Sequence, residues 1–97
     1  MHIISRPQIH EFWNKHADSE TALKVWFQKT KKAQWNNLNE LKIDFPSADY
    51  IGNDRYVFNI KGNKYRLVAM IFFDIRTVFI RFIGTHAEYD KINCTEI

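Results

Sequence analysis

The chain has 97 residues, 45% hydrophobic and 15% aromatic, with a net charge of +3 at pH 7 and a pI near 9.1. That supplies one hydrophobic core, leaves too little length for two, and excludes a disordered or low-complexity chain. The single cysteine, Cys94, excludes an internal disulfide and a Cys/His zinc site; no window approaches the roughly 20 apolar residues of a membrane span, and MHIISRPQIH lacks the apolar core of a signal peptide, so one cytoplasmic domain over residues 1–97 is expected.

His2-Ile3-Ile4 reads as a short strand that could join a later sheet. Ser5 and Gln8 match a capping box with Pro7 in the first turn, which predicts a helix from Ser5 to about His16 with Ile9, Phe12 and Trp13 inward. A second helix is expected from a cap at Asp18 or Ser19 to about Ala33. Ala22, Val25, Trp26 and Lys29 fall at helical spacing there, and Leu23 and Phe27 widen the face. Residues 35–46 predict one or two further helical turns, with Leu38, Leu41 and Phe45 inward and Pro46 as the stop.

From Arg55 onward the periodicity changes from helical to alternating. Gly62-Asn63, flanked by Lys61 and Lys64, marks a hairpin, and counting outward sets Asn59 opposite Arg66, Val57 opposite Val68 and Arg55 opposite Met70. Tyr56, Phe58, Ile60, Tyr65 and Leu67 then share a core face, leaving Arg55, Asn59, Lys61, Lys64 and Arg66 on the other. Opposed lysines repel, and a bound polyanion would remove that cost. A third strand, Thr77–Ile83, is expected to pair Phe72 with Thr77 across a four-residue loop, sending the uniformly apolar Val78, Ile80 and Phe82 to the core and Arg81 beside Val68, near Arg66; a three-residue loop would reverse the faces. Six Lys/Arg against Asp54 and Asp74 between residues 54 and 81 point to nucleic acid or another acidic partner.

After Gly84, Thr85-His86-Ala87-Glu88 is a second capping box, so a short helix should follow with His86 in its first turn and Tyr89 on the same face. The amides of that turn suit a phosphate. Residues 91–97 are expected to pair at the sheet edge or fray. Helices first and sheet second make an α+β fold, with the helices covering the aromatic face and the basic face left open.

The segments FNIKGNKYRLV and FIRFIGTHAEYDKI resemble the HigB toxins of HigB-HigA toxin-antitoxin pairs, within the RelE-like superfamily. The likeness runs over essentially the whole chain. It implies a RelE-like fold, with two N-terminal helices packed on one face of a twisted antiparallel sheet and a short C-terminal helix. It also implies ribosome-dependent cleavage of mRNA in the A site, and a HigA-type helix-turn-helix antitoxin as partner. Ribosome and mRNA would be the other partners, and operator DNA would be reached only through the antitoxin.

RNA cleavage with protein groups alone, without metal or other cofactor, needs a base for the 2′-hydroxyl, an acid for the leaving 5′-oxygen and positive charge for the transition state. Arg66 stands where the resemblance places a transition-state arginine. His86 and Tyr89 are the proton-transfer candidates, in either order, although relatives often carry arginine where this chain has His86. Lys61 completes the catalytic set; Arg55, Asn59, Lys61, Lys64, Arg66 and Arg81 form the RNA-binding set. Each has a plainer reading: His86 as part of a cap, Tyr89 as packing, Arg81 as a partner for Asp90. His2, His10 and His16 read as surface or capping residues, and Trp13, Trp26 and Trp35 as core. Lys29, Lys31 and Lys32 read as a solvated helix end. The competing function is a non-catalytic RNA- or protein-binding module using the same basic face.

Overall fold

Aromatic and β-branched residues alternating from Arg55 to Phe72 build the central hairpin of a five-stranded sheet. The computed structural model of the protein describes residues 1–4 and 6–97; the cap expected at Ser5 lies outside them. In chain order the elements are β1 (His2–Ile4), α1 (Arg6–Lys15), a 3₁₀ turn (Ala17–Ser19), α2 (Glu20–Lys32), α3 (Leu38–Asp44), β2 (Asp49–Gly52), β3 (Arg55–Ile60), β4 (Tyr65–Phe72), β5 (Thr77–Thr85) and α4 (His86–Asp90). The fold is α+β.

The strand order is β1-β5-β4-β3-β2. Neighbours from β2 to β5 are antiparallel, but β1 runs parallel to β5, with Ile3 opposite Val78, so the sheet is mixed rather than antiparallel throughout. The reason is connectivity: the chain crosses the helices between β1 and β5, which a parallel edge pairing allows.

The β3–β4 register is the expected one, from Arg55 opposite Met70 to Ile60 opposite Tyr65. Tyr56, Phe58, Ile60, Tyr65 and Leu67 are buried beneath the helices together with Ile9, Leu23, Trp26, Trp35 and Leu41. Phe58 lies edge-on to Trp26 and Phe45, and Phe45 to Trp35, with centroids 5.2–5.9 Å apart. Trp35 also donates its indole N–H to Asp44 Oδ2 at 2.8 Å. On α2 the buried residues are Leu23, Trp26 and Thr30, whereas Val25 is 48% exposed. The expected Trp26 and Leu23 are buried and Ala22 and Phe27 pack against the core, but Val25 and Lys29 face outward, because α2 lays its Leu23–Trp26–Thr30 line against the sheet.

Two further expectations fail. Phe72 does face Thr77, but Val68 faces Phe82 while Ala69 faces Ile80, so Arg81 is the extra residue of a β-bulge. The bulge reverses the facing of the strand beyond it. Val78 and Ile80 stay beneath the helices, Ile83 joins them, and Phe82 packs on the opposite face. That opposite face is also not open. Residues 91–97 fold back over it, and Cys94 is buried against Val57 and Val68, with Ile51, Phe82, Tyr89 and Ile97 around them. The tail neither extends the edge nor frays, because it covers apolar area that β3 and β4 would otherwise expose.

Candidate active site

The turn between β3 and β4 places the most chemistry in the least space. Lys61 and Gly62 both take positive φ, 52° and 62°, and Lys64 N–H donates to the Lys61 carbonyl at 3.2 Å. Glycine adopts that conformation freely and lysine only at a cost, so the turn needs outside support. Immediately after it comes Arg66. Its Nη2 donates to Asn63 Oδ1 at 2.7 Å, and its Nη1 donates to the carbonyls of Asn63 and Tyr65 at 3.3 and 3.4 Å. The guanidinium carbon stands 6.0 Å from the Tyr89 ring centroid, within cation–π range. Asn59 is directly across the ladder from Arg66 and exposed.

Tyr89 and His86 arrive from α4, whose start is fixed by the expected capping box. Thr85 Oγ1 accepts from Glu88 N–H at 3.1 Å, and Glu88 Oε1 accepts from Thr85 N–H at 2.8 Å. His86 N–H donates to the Lys64 carbonyl at 3.2 Å, which ties the helix to the hairpin turn. These bonds, with a carboxylate over the helix start, correct the expectation of a phosphate seat on the α4 amides. The α4 helix starts where β5 passes Arg66, and Gly84 is the residue opposite it. A Cβ on Gly84 would come 2.4 Å from the Phe82 ring, so any larger residue there would have to displace that ring. His86 Nδ1 lies 3.1 Å from Asp90 Oδ2. Tyr89 is half-buried, tilted against Phe82 at 6.5 Å. Burial raises its phenol pKa, with the Cys94 thiol adding to the effect and Arg66 opposing it, so the hydroxyl keeps its proton at neutral pH.

Arg66, Asn59 and Tyr89 are thus gathered at one end of the sheet, on the face away from the helices, and the backbone of His86 is tied to the adjoining turn. Other expected site residues are not. Arg55 is 8% exposed, and its guanidinium donates to the carbonyls of Asn53 and Ile97; it fastens the C-terminal segment rather than facing a ligand. Arg81, displaced by the bulge, lines an open groove between α1 and β5 with Gln8, Glu11 and Lys15 instead of standing beside Val68 near Arg66. Asp90 pairs with His86 and not with Arg81. Lys61 and Lys64 do not confront one another unpaired, because Asp18 from the 3₁₀ turn accepts from Lys64 and lies 3.4 Å from Lys61 Nζ. Lys61 is thereby drawn to the helix side of the turn and away from the group around Arg66. Asp18 was expected only as a helix cap, and more than forty residues separate it from the lysines, so no local spacing signals the contact.

A family model described as HigB toxin, the RelE-like toxic component of a toxin-antitoxin system, matches residues 19–92. An mRNA interferase toxin HigB of Escherichia coli K12 is 36% identical over 93 residues, 93% of this chain and 88% of the relative. An mRNA interferase HigB of Shigella flexneri matches to the same extent, and one of Escherichia coli O6:H1 is 33% identical over 94 residues, 95% of this chain and 91% of its own. The chain belongs to the HigB toxin family. A HigB toxin is the toxic half of a pair, so its partner is an antitoxin. No described helix is long and apolar enough to cross a membrane.

Two carboxylates hold this HigB toxin's hairpin and α4 in place, and both are acidified. The Lys64 hydrogen bond, then that of the Tyr65 hydroxyl, carries Asp18 well below its ordinary 3.8; the backbone N–H of Thr85 lowers Glu88 from 4.5. A carboxylate with a depressed folded pKa stabilises the fold fully above its unfolded value and loses that contribution as pH falls through the folded one. Urea midpoints should therefore drop as pH is lowered below about 4.5. The gap between wild type and an Asp18→Asn/Glu88→Gln double variant should close over the same range. A gap that persists undiminished at pH 2 would contradict this assignment.

Proposed function

We propose that this HigB toxin inhibits translation as a ribosome-dependent endoribonuclease cutting mRNA in the A site, using Arg66, His86 and Tyr89 without a metal ion. The observation that carries the reading is the preorganised Arg66: a guanidinium fixed by Asn63 and by the ring of Tyr89, on the short helix that also carries His86. The name mRNA interferase borne by the relatives supports the same activity.

The reaction follows from the groups present. With Asp90 beside Nδ1, the proton of a neutral His86 is favoured on that nitrogen, leaving Nε2 with a lone pair to take the 2′-hydroxyl proton. The 2′-oxygen then bonds to phosphorus as the bond from phosphorus to the 5′-oxygen breaks, giving a cyclic 2′,3′-phosphate. Arg66 neutralises the extra negative charge of the five-coordinate transition state with paired donors. Tyr89, kept protonated by burial, is suited to donate to the departing 5′-oxygen. Asn59 and the ammonium protons that Asp18 leaves over on Lys61 and Lys64 hold flanking phosphates. Arg55 and Arg81 take no part. A HigA-type antitoxin silences the toxin in the cytoplasm and carries it to operator DNA.

The test maps mRNA 5′ ends after brief expression of wild type and His86→Ala, with and without active translation. Expected are cuts within codons that require translation and that fall by about 100- to 10,000-fold in the variant, the usual range for a general base. Cuts that persist in His86→Ala would move proton transfer to Tyr89. No cuts in the wild type would leave a binding module.

A further inference from the structure

We infer that Asp18 is a positioning residue for the cleavage reaction: it holds the Lys61–Lys64 turn so that Asn63 and Lys64 in turn hold Arg66 and His86. The inference rests on the roles just proposed for Arg66 and His86. Asp18 projects from the 3₁₀ turn between α1 and α2, which is itself fixed: Ser19 is fully buried and its hydroxyl donates to the His16 carbonyl at 2.7 Å. One carboxylate oxygen accepts from the Tyr65 hydroxyl at 2.5 Å, and the other takes Lys64 and Lys61. Tyr65 is only 2% exposed, its ring held edge-on by Phe12 at 5.2 Å and beside His16 at 5.4 Å. This side of the carboxylate is an anchor in the core.

On the other side the contacts run outward to the site in two steps. The turn that Asp18 grips carries Asn63, whose carbonyl and side-chain oxygens accept from Arg66, and the Lys64 carbonyl, which accepts from His86 N–H. The turn is short and contains a lysine at φ +52°, so without the carboxylate it has reason to relax. A shift of the turn would move both the transition-state cation and the start of α4. Small displacements of reacting groups are costly in rate, while the substrate remains bound through other contacts.

A rival account of the same contacts is that Asp18 masks two cations that would otherwise grip phosphate. The two accounts predict opposite results for Asp18→Asn, which keeps the shape and an acceptor for Tyr65 but removes the charge. Positioning predicts that the single-turnover rate constant on ribosome-bound mRNA falls about 10- to 100-fold. The Kd for programmed ribosomes whose mRNA is blocked by 2′-O-methylation should stay within about twofold of wild type, and Asp18→Glu should recover part of the rate. A wild-type rate in Asp18→Asn overturns the inference, as does a tenfold lower Kd at wild-type rate, the masking result. Circular dichroism checks folding, and if Asp18→Asn is unfolded, Tyr65→Phe carries the test. It keeps the buried ring and loses only the anchor's hydroxyl, so a slower rate at unchanged Kd supports positioning and a wild-type rate overturns it. Arg66→Ala in the same assay separates the two levels of the argument. Cleavage by that variant at full rate defeats the proposed site itself, whereas loss of cleavage there with a wild-type rate in Asp18→Asn defeats the inference about Asp18 alone.

Discussion

Replacing Arg66 by alanine should slow cleavage of ribosome-bound mRNA by about 100- to 1,000-fold, the cost of losing one well-placed electrostatic donor in a transition state. The size of the effect rests on preorganisation. Asn63 supplies two acceptors, and the Tyr89 ring supplies a face, so the guanidinium does not have to be gathered when charge develops on the phosphate. Affinity for the ribosome should change far less, because Arg66 is one of several cations. Lysine at the same position should restore little, since a single ammonium cannot reproduce the planar pair of donors. The fold should survive both changes, because the bonds lost are to a solvent-facing turn. Single-turnover rates read with melting temperatures decide the matter: a folded Arg66→Ala variant cutting at the wild-type rate would remove Arg66 from the chemistry.

The second large effect is on stability. Phe58 is 1% exposed and lies edge-on to Trp26 at 5.5 Å and Phe45 at 5.2 Å, joining α2 and the end of α3 to the middle of β3. Phe58→Ala should cost about 3–5 kcal/mol through lost burial and the cavity left behind. That is a large share of the roughly 5–15 kcal/mol by which domains of this size are folded. Its melting temperature should fall by more than about 10 °C. Growth arrest should weaken with it, and lowering the temperature should restore cleavage in proportion to the folded fraction. Arg66→Ala offers no such rescue. Thermal unfolding within about 2 °C of wild type would show that the aromatic joint contributes little.

The hairpin register was legible because Gly62-Asn63 punctuates two runs whose period is two over ten residues, and the α4 cap was legible because its four residues are contiguous. What escaped reading shares one property: it depends on residues far apart in sequence or on a break in periodicity. A bulge adds one residue, and nothing in Ile80-Arg81-Phe82 announces it, so unbroken alternation puts Arg81 and Phe82 on the wrong faces. The tail, INCTEI, has no period to mark it as a cover for Val57 and Val68, and without that cover Arg55 reads as free. The lysine pair looked like an unmet charge because its carboxylate comes from the helical half of the chain. Periodicity alone therefore makes the open basic face too large, and it only partly separates the compact group of Arg66, Asn59 and Tyr89 from it.

The parallel pairing of β1 with β5 has a consequence for how the molecule comes into being. His2 and Thr77 meet across about three quarters of the chain. During synthesis the first strand must wait, unpaired, until most of the polypeptide has emerged, and contacts of such long sequence separation form late and slowly. Arg66, His86 and Tyr89 lie in the same late-emerging half. A nascent chain is thus a set of helices without a completed sheet until β5 has emerged to pair with β1.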